Sequence, residues 1–220
     1  MVSRVFGIPL WANVFSALAL LAGVFLAAPA AYAAAANPAE AFVQQNIDKG
    51  YIILNNTSLS GDQRRTQFRD FMLGLTDVKR IGMFTLGQYA NGASKADVDA
   101  FIMAFTDYAV AVYESRLGKY TGQTLKVTGS DARSADDVVV NADVVNPQAP
   151  ANAPPIKAAF RVRKTSDGKP IVTDMQVEGI WLALSQRSDF TGFLQQHGGS
   201  ITALTDNLKM QVQQLRNASN

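Results

Sequence analysis

Hydrophobic positions along this chain recur first at the spacing of helices, then at that of strands, then at that of helices again. Between Asn37 and Leu54, the residues Phe42, Val43, Ile47, Tyr51 and Leu54 fall on one side of a helix. Ser60 opens a second helix, and Gln63 three residues later completes a capping box, in which each side chain satisfies a free backbone N–H of the other residue. Phe68, Phe71, Met72 and Leu75 form its apolar face. Thr76 or Asp77 starts a short third helix that carries Val78, Ile81, Met83, Phe84 and Leu86. The fourth opens at Ser94, again spaced for a capping box with Asp97, and Gly118 lies where it should stop. Val98, Phe101, Ile102, Phe105, Tyr108, Ala109, Val112 and Tyr113 give it a wide apolar face over about six turns.

The period then drops to two. Leu125 to Gly129, Val138 to Asn146, Ile156 to Lys164 and Ile171 to Glu178 are short, Val-rich alternating runs. In the last of them, Ile171, Thr173, Met175 and Val177 fall on one side, and Val172, Asp174, Gln176 and Glu178 on the other. Asp136-Asp137 marks the first turn, Pro147 to Pro155 a longer exposed connection, and Ser166-Asp167-Gly168 a hairpin joining the third and fourth strands. At Gly179 the spacing turns helical, with Trp181, Leu182, Leu184, Ser185, Phe190, Phe193 and Leu194 before the stop at Gly198-Gly199. Ser200 caps a last helix with Ile201, Leu204, Leu208, Val212 and Leu215 along its face. A consecutive antiparallel sheet of about four strands, covered on one face by several helices, is an α+β layer design.

The first residues bear on where this domain works. Arg4 is the only charge before Glu40, Val14 to Leu26 is almost wholly apolar, and Ala31-Tyr32-Ala33 supplies a small-x-small cleavage pattern. These are the parts of a secretory signal peptide, expected over 1–33 with cleavage near Ala33, followed by a single domain over 34–220. The uncharged stretch is also long enough to serve as a membrane anchor, but Pro29 and the lack of a basic stop-transfer cluster favour cleavage. Without Arg4 the chain carries 19 basic and 18 acidic side chains, so no basic stripe offers itself to nucleic acid. There is no cysteine, hence no disulfide, thiolate metal site or thiol nucleophile.

Catalytic chemistry is hard to assemble from what remains. His197 is the only histidine and sits at a Gly-flanked helix end, where it caps or is solvated. One histidine and no cysteine do not make a transition-metal site, and Asp136-Asp137 lacks the further oxygen ligands of a hard-cation site. No Gly-rich phosphate loop links a strand to a helix. The expectation is no metal, no cofactor and no catalytic residue. Asp174 is the carboxylate with two readings: a structural partner for Arg161, Arg163 or Arg187, or a general base desolvated in an apolar cavity. Arg187 likewise either ties its helix to Asp174 or Glu178, or meets a lipid phosphate at a pocket mouth.

Two segments carry a family resemblance. Phe84-Thr85-Leu86-Gly87-Gln88-Tyr89 is similar to an FTLGxY segment, and Asp174, Gly179, Arg187 and Phe190 match a strand Asp, a turn Gly, then an Arg and an aromatic on the next helix. Together they resemble the MlaC (toluene-tolerance) family of periplasmic lipid carriers. The departure is Trp181, where that family usually has a small residue; it suggests a divergent branch, of the kind that accompanies hopanoid synthesis. The resemblance implies an NTF2-like or cystatin-like curved sheet with an apolar cavity for acyl chains. The residues expected to line it are Phe84, Leu86, Tyr89, Phe101, Phe105, Tyr108, Val112, Met175, Val177, Trp181 and Phe190. It implies as cargo a phospholipid or a hopanoid-type polycyclic lipid. As partners it implies an MCE-domain ABC transporter at the inner membrane and an outer-membrane lipoprotein complex. Two rivals stand beside the carrier: a cavity enzyme of isomerase or hydratase type with Asp174 as base, and an interaction domain whose aromatics only pack.

Overall fold

The computed structural model describes residues 37–117, 122–150 and 152–218. The segment read as a signal peptide and the stop at Gly118 lie outside them. Helix α1 (Pro38–Leu54) begins where the Asn37 side chain accepts from the Ala39 N–H at 2.9 Å, and proline fills the first helical position, where its missing N–H is no loss. Helix α2 (Gly61–Leu75) opens on the expected box: Ser60 Oγ accepts from the Gln63 N–H at 3.2 Å, and Gln63 Oε1 from the Ser60 N–H at 2.9 Å. Asp77, of the two candidates, caps α3 (Val78–Leu86), which runs into a 3-10 turn, Gly87–Ala90, that the periodicity did not predict. In α4 (Lys95–Leu117), capped by Ser94 through the Asp97 N–H, the residues Phe101, Ala104, Phe105, Tyr108, Val110, Ala111 and Val112 are buried. They point in more than one direction, so α4 is a helix enclosed by its neighbours rather than a surface helix with one apolar stripe.

The sheet has five antiparallel strands in chain order: β1 (Thr124–Ser134), β2 (Asp137–Val145), β3 (Ile156–Lys164), β4 (Pro170–Val177) and β5 (Ile180–Trp181). Two features differ from the sequence reading. First, β1 continues past Gly129 to Ser134, with breaks in register on either side of a polar stretch. Second, Glu178-Gly179 is a two-residue hairpin turn and not a direct junction into a helix. Glu178 (φ +48°) and Gly179 (φ +82°) are both left-handed, the pattern of a type I′ turn, and return the chain as β5 with Val177 opposite Ile180 and Gln176 opposite Trp181. Helices α5 (Leu182–Gln196) and α6 (Ile201–Asn217) follow, the latter capped by Ser200 as expected.

A register break between Arg161 and Val162 also changes which residues of β4 share a face. Thr173 is the extra residue, so Val172 lies opposite Val162 and Ile171 opposite Arg163. Directly opposed residues share a face. One face therefore presents Val138, Val140, Phe160, Val162, Val172, Met175 and Val177, and the other Arg161, Arg163, Ile171, Asp174, Gln176 and Trp181. Beyond the bulge, the simple alternation expected from Ile171 to Val177 is inverted.

Most of the buried apolar residues described fall in two separate clusters. Ala39, Val43 and Ile47 of α1 pack on Val140 and Val162, with Phe42, Tyr51, Leu125, Val127, Val138 and Phe160 partly buried around them. The second cluster is helical and joins Leu86, Phe101, Phe105, Tyr108 and Val112 to Phe190 and Leu194 of α5 and to Ile201, Leu204, Leu208 and Val212 of α6. Phe190 stands edge-on to Phe101 and Phe105, with centroids 6.0 and 6.1 Å away. On the sheet's other face, polar pairs link neighbouring strands. Arg161 Nε donates to Asp137 Oδ1 at 2.9 Å, and Lys157 Nζ to Asp143 Oδ1 at 2.7 Å.

Candidate functional site

The two segments that carry the family resemblance meet in space. The Arg187 guanidinium of α5 lies over the Phe84 ring, 4.9 Å from its centroid, and Leu86 and Phe190 share the helical core. Between them sits Gly87, with φ +58° and ψ −130°, a conformation that side chains of L residues do not tolerate. A Cβ there would stand 3.1 Å from Thr191 Cγ2 and 3.2 Å from Arg187 Nε. Gly87 thus lets α3 turn back closely against α5. Arg187 pairs with neither Asp174 nor Glu178 but packs this junction; the Glu178 carboxylate instead accepts from the Lys157 N–H.

Asp174 has a backbone partner. Its Oδ1 accepts from the N–H groups of Met175 at 2.8 Å and Ala183 at 2.9 Å. Ala183 is in the first turn of α5, whose own cap residue, Trp181, makes no side-chain capping bond. The strand therefore supplies the cap that the helix lacks, and a carboxylate suits the positive end of the helix dipole. Burial pushes the Asp174 carboxyl above the ordinary carboxylate range; the Ala183 and Met175 N–H groups and the Arg161 charge oppose that shift without reversing it. Arg161 itself pairs with Asp137, whose carboxyl is held low, chiefly by that hydrogen bond. His197 stacks on Phe193 at 3.9 Å between centroids, with Nδ1 2.8 Å from the Phe193 carbonyl oxygen.

The eleven residues expected to line a pocket fall in four places. Leu86, Phe101, Phe105, Tyr108, Val112 and Phe190 are buried together in the helical core, with Tyr89 at its edge. Met175 and Val177 lie on the sheet face that α1 covers, and Trp181, opposite Gln176, on the other. Phe84 is exposed beneath Arg187. Two open grooves adjoin at Gln88 and Tyr89, the larger about 840 Å³, between the 3-10 turn and the starts of α4 and α6; Tyr89 alone of the eleven borders them.

A seam that the sequence reading did not single out lies on the α1 side of the sheet. Helix α2 carries Phe68, Phe71, Met72, Leu73 and Leu75, yet none of its residues is fully buried. It packs on α1 at Gly50, where an added Cβ would lie 3.4 Å from the Phe71 ring. Its C-terminal end is tied to β4, where Thr76 Oγ1 donates to the Val172 carbonyl at 2.6 Å. The neighbouring sheet residues on that face, Phe160, Val172 and Met175, are likewise only half-buried. Two incompletely covered apolar surfaces thus share one side of the molecule. The apolar spacing of α2 was legible in the sequence; that its face stays unfilled was not.

A solved structure with a similar fold is that of the phospholipid-binding protein from Ralstonia solanacearum in complex with a phospholipid. It is 23% identical, and the match covers 81% of this chain and 98% of that one with a TM-score of 0.68. Residues 44–210 match the model of the MlaC protein family. That span takes in α2, both motif segments and most of both core clusters, and the chain belongs to the MlaC family.

Proposed function

We propose that this protein is a periplasmic lipid carrier, doing no covalent chemistry, that holds the acyl chains of a phospholipid, or the apolar body of a hopanoid-type lipid, between α2 and the sheet. The observation that carries this reading is the seam. None of the five large apolar residues on the 15-residue helix α2 is fully buried, and Phe160, Val172 and Met175 of the strand pair to which its end is tied are only half-covered. Each buried methylene is worth about 0.8 kcal/mol, so about ten of them give roughly 8 kcal/mol, the equivalent of a micromolar Kd. A diacyl lipid offers more than that. Membership of the MlaC family and the phospholipid in the Ralstonia structure support the same cargo class.

Binding of that strength needs a partner to drive release. The partners proposed are an MCE-domain ABC transporter at the inner membrane and an outer-membrane lipoprotein complex. The lipid-lining set proposed is accordingly Met175, with Phe160, Val172 and the α2 stripe added; Val177, also expected to line a pocket, is fully buried beside them. The helical-core aromatics shape the fold that carries the seam. Asp174 as a general base has only its raised carboxyl in its favour, since its Oδ1 already holds two backbone N–H groups. Extraction and mass analysis of lipid from purified protein tests the carrier reading. A substitution such as Met175→Asp should empty the protein while leaving its helical circular dichroism intact.

A further inference from the structure

We infer that Arg64 receives the phosphate of the bound lipid's headgroup. The inference rests on the carrier reading and names a contact which that reading leaves open. Arg64 precedes Phe68, Phe71 and Leu75 by four, seven and eleven residues, so all four lie along one side of α2. It is the only charged residue among the half-buried positions of that helix. The other charges nearby are exposed and pair with one another, Arg65 with Asp62 and Arg69 with Asp70. Among the described residues Arg64 forms no salt bridge. Its Nε is buried and has no hydrogen-bond partner, and its Nη2 reaches only the Leu59 carbonyl oxygen, at a long 3.4 Å.

A buried guanidinium Nε–H without an acceptor, on the same side of α2 as its apolar stripe, is an anomaly, because buried donors are almost always satisfied. A phosphate supplies what is missing, an anion whose oxygens match the flat fork of N–H groups. The layout also fits an amphiphile. The charge stands at one end of the stripe, and from Arg64 to Leu75 the apolar side runs about 16 Å at 1.5 Å per residue, a path an acyl chain can follow. A free phosphate ion shares the headgroup's chemistry, and the test separates the two.

The delipidated protein would be offered dioleoylphosphatidylglycerol and dioleoylglycerol, which differ only in the headgroup, and retained ligand would be measured by mass spectrometry. The parent should prefer the phospholipid by about tenfold, the scale of one charge-assisted hydrogen bond. Arg64→Gln should erase that preference while holding as much dioleoylglycerol as the parent, and Arg64→Lys, which keeps the charge and loses the fork, should fall between. In ¹⁵N-labelled parent protein, the Arg64 Nε–H resonance should move on binding phosphatidylglycerol and stay in place with dioleoylglycerol, a readout that does not depend on any variant folding. An unchanged preference in a folded Arg64→Gln, or an Nε–H that ignores the phospholipid, overturns the assignment and leaves the carrier reading standing. So does inorganic phosphate that moves the same resonance alone and leaves the phospholipid preference intact, since the site then serves a free anion. A parent that retains neither ligand removes the carrier reading and this inference together.

Discussion

Asp174→Ala should destabilise the protein by about 2 kcal/mol at neutral pH, whereas Asp174→Asn should stay within about 1 kcal/mol of the parent. The magnitude comes from what Oδ1 holds. Alanine removes the acceptor for two N–H groups, and that of Ala183 belongs to a residue only 8% exposed, so water replaces the bond poorly. A lost helix cap costs about 0.5–2 kcal/mol and an unsatisfied buried donor about 1–3; here these describe one interaction and do not add. Asparagine keeps an oxygen in the same place and discards a charge that burial already disfavours. The sign of the pH dependence follows from the raised carboxyl. A group whose folded pKa lies above its unfolded value, about 3.9, contributes stability that is fully present below that value and lost as pH rises through the folded one. Asparagine does not titrate, so the stability of Asp174→Asn relative to the parent should improve between pH 4 and pH 7. Urea unfolding of parent and both variants at the two pH values measures this, with lipid content recorded alongside. Asparagine as damaging as alanine at pH 7, or a difference flat with pH, would refute the capping account. Loss of a turnover in a stable Asp174→Asn would point to a base.

Three further outcomes follow from the same structure. Gly87→Ala should cost about 2–4 kcal/mol in urea melts, from a left-handed backbone and the crowding against Thr191 and Arg187, and should leave the α1–sheet cluster ordered by hydrogen exchange. Arg161→Met should cost about 2 kcal/mol at pH 7. Because Asp137 has a lowered carboxyl pKa, its contribution is present above the unfolded value and lost as pH falls through the folded one, so this variant should show a shallower acid limb below about pH 4. N-terminal sequencing of exported material should find the mature chain starting at or near Ala34; a full-length chain in the membrane fraction would favour an anchor.

Local chemistry made much of this fold legible. Ser60 with Gln63 and Ser166-Asp167-Gly168 are short-range devices whose bonding is written in adjacent residues, and each appears where the spacing placed it; Ser94 likewise accepts from the Asp97 N–H, but the Asp97 carboxylate accepts from the Ser94 hydroxyl instead of its N–H. What escaped depends on partners far away in the chain. The polar run Ser130-Asp131-Ala132-Arg133-Ser134 reads as a loop, yet β2 supplies it with a ladder. Glu178 reads as a strand residue because a left-handed glutamate is uncommon, and only the pairing of Val177 with Ile180 requires it. One extra residue at Thr173 inverts the faces of β4, and alternation alone cannot register a bulge. The candidate site fared differently for a related reason. Periodicity shows that Phe101, Phe105 and Phe190 turn inward, but packed cores and lined cavities share that pattern. The seam proposed here rests instead on α2, none of whose apolar residues is fully buried.

Native mass spectrometry of the purified protein, followed by lipid extraction, tests the central claim most directly. The account predicts a one-to-one complex with a phospholipid or a hopanoid-type lipid, displaced when Met175→Asp or Phe71→Asp places a charge in the seam. A homogeneous, lipid-free protein that stays empty after incubation with phosphatidylglycerol vesicles would contradict it.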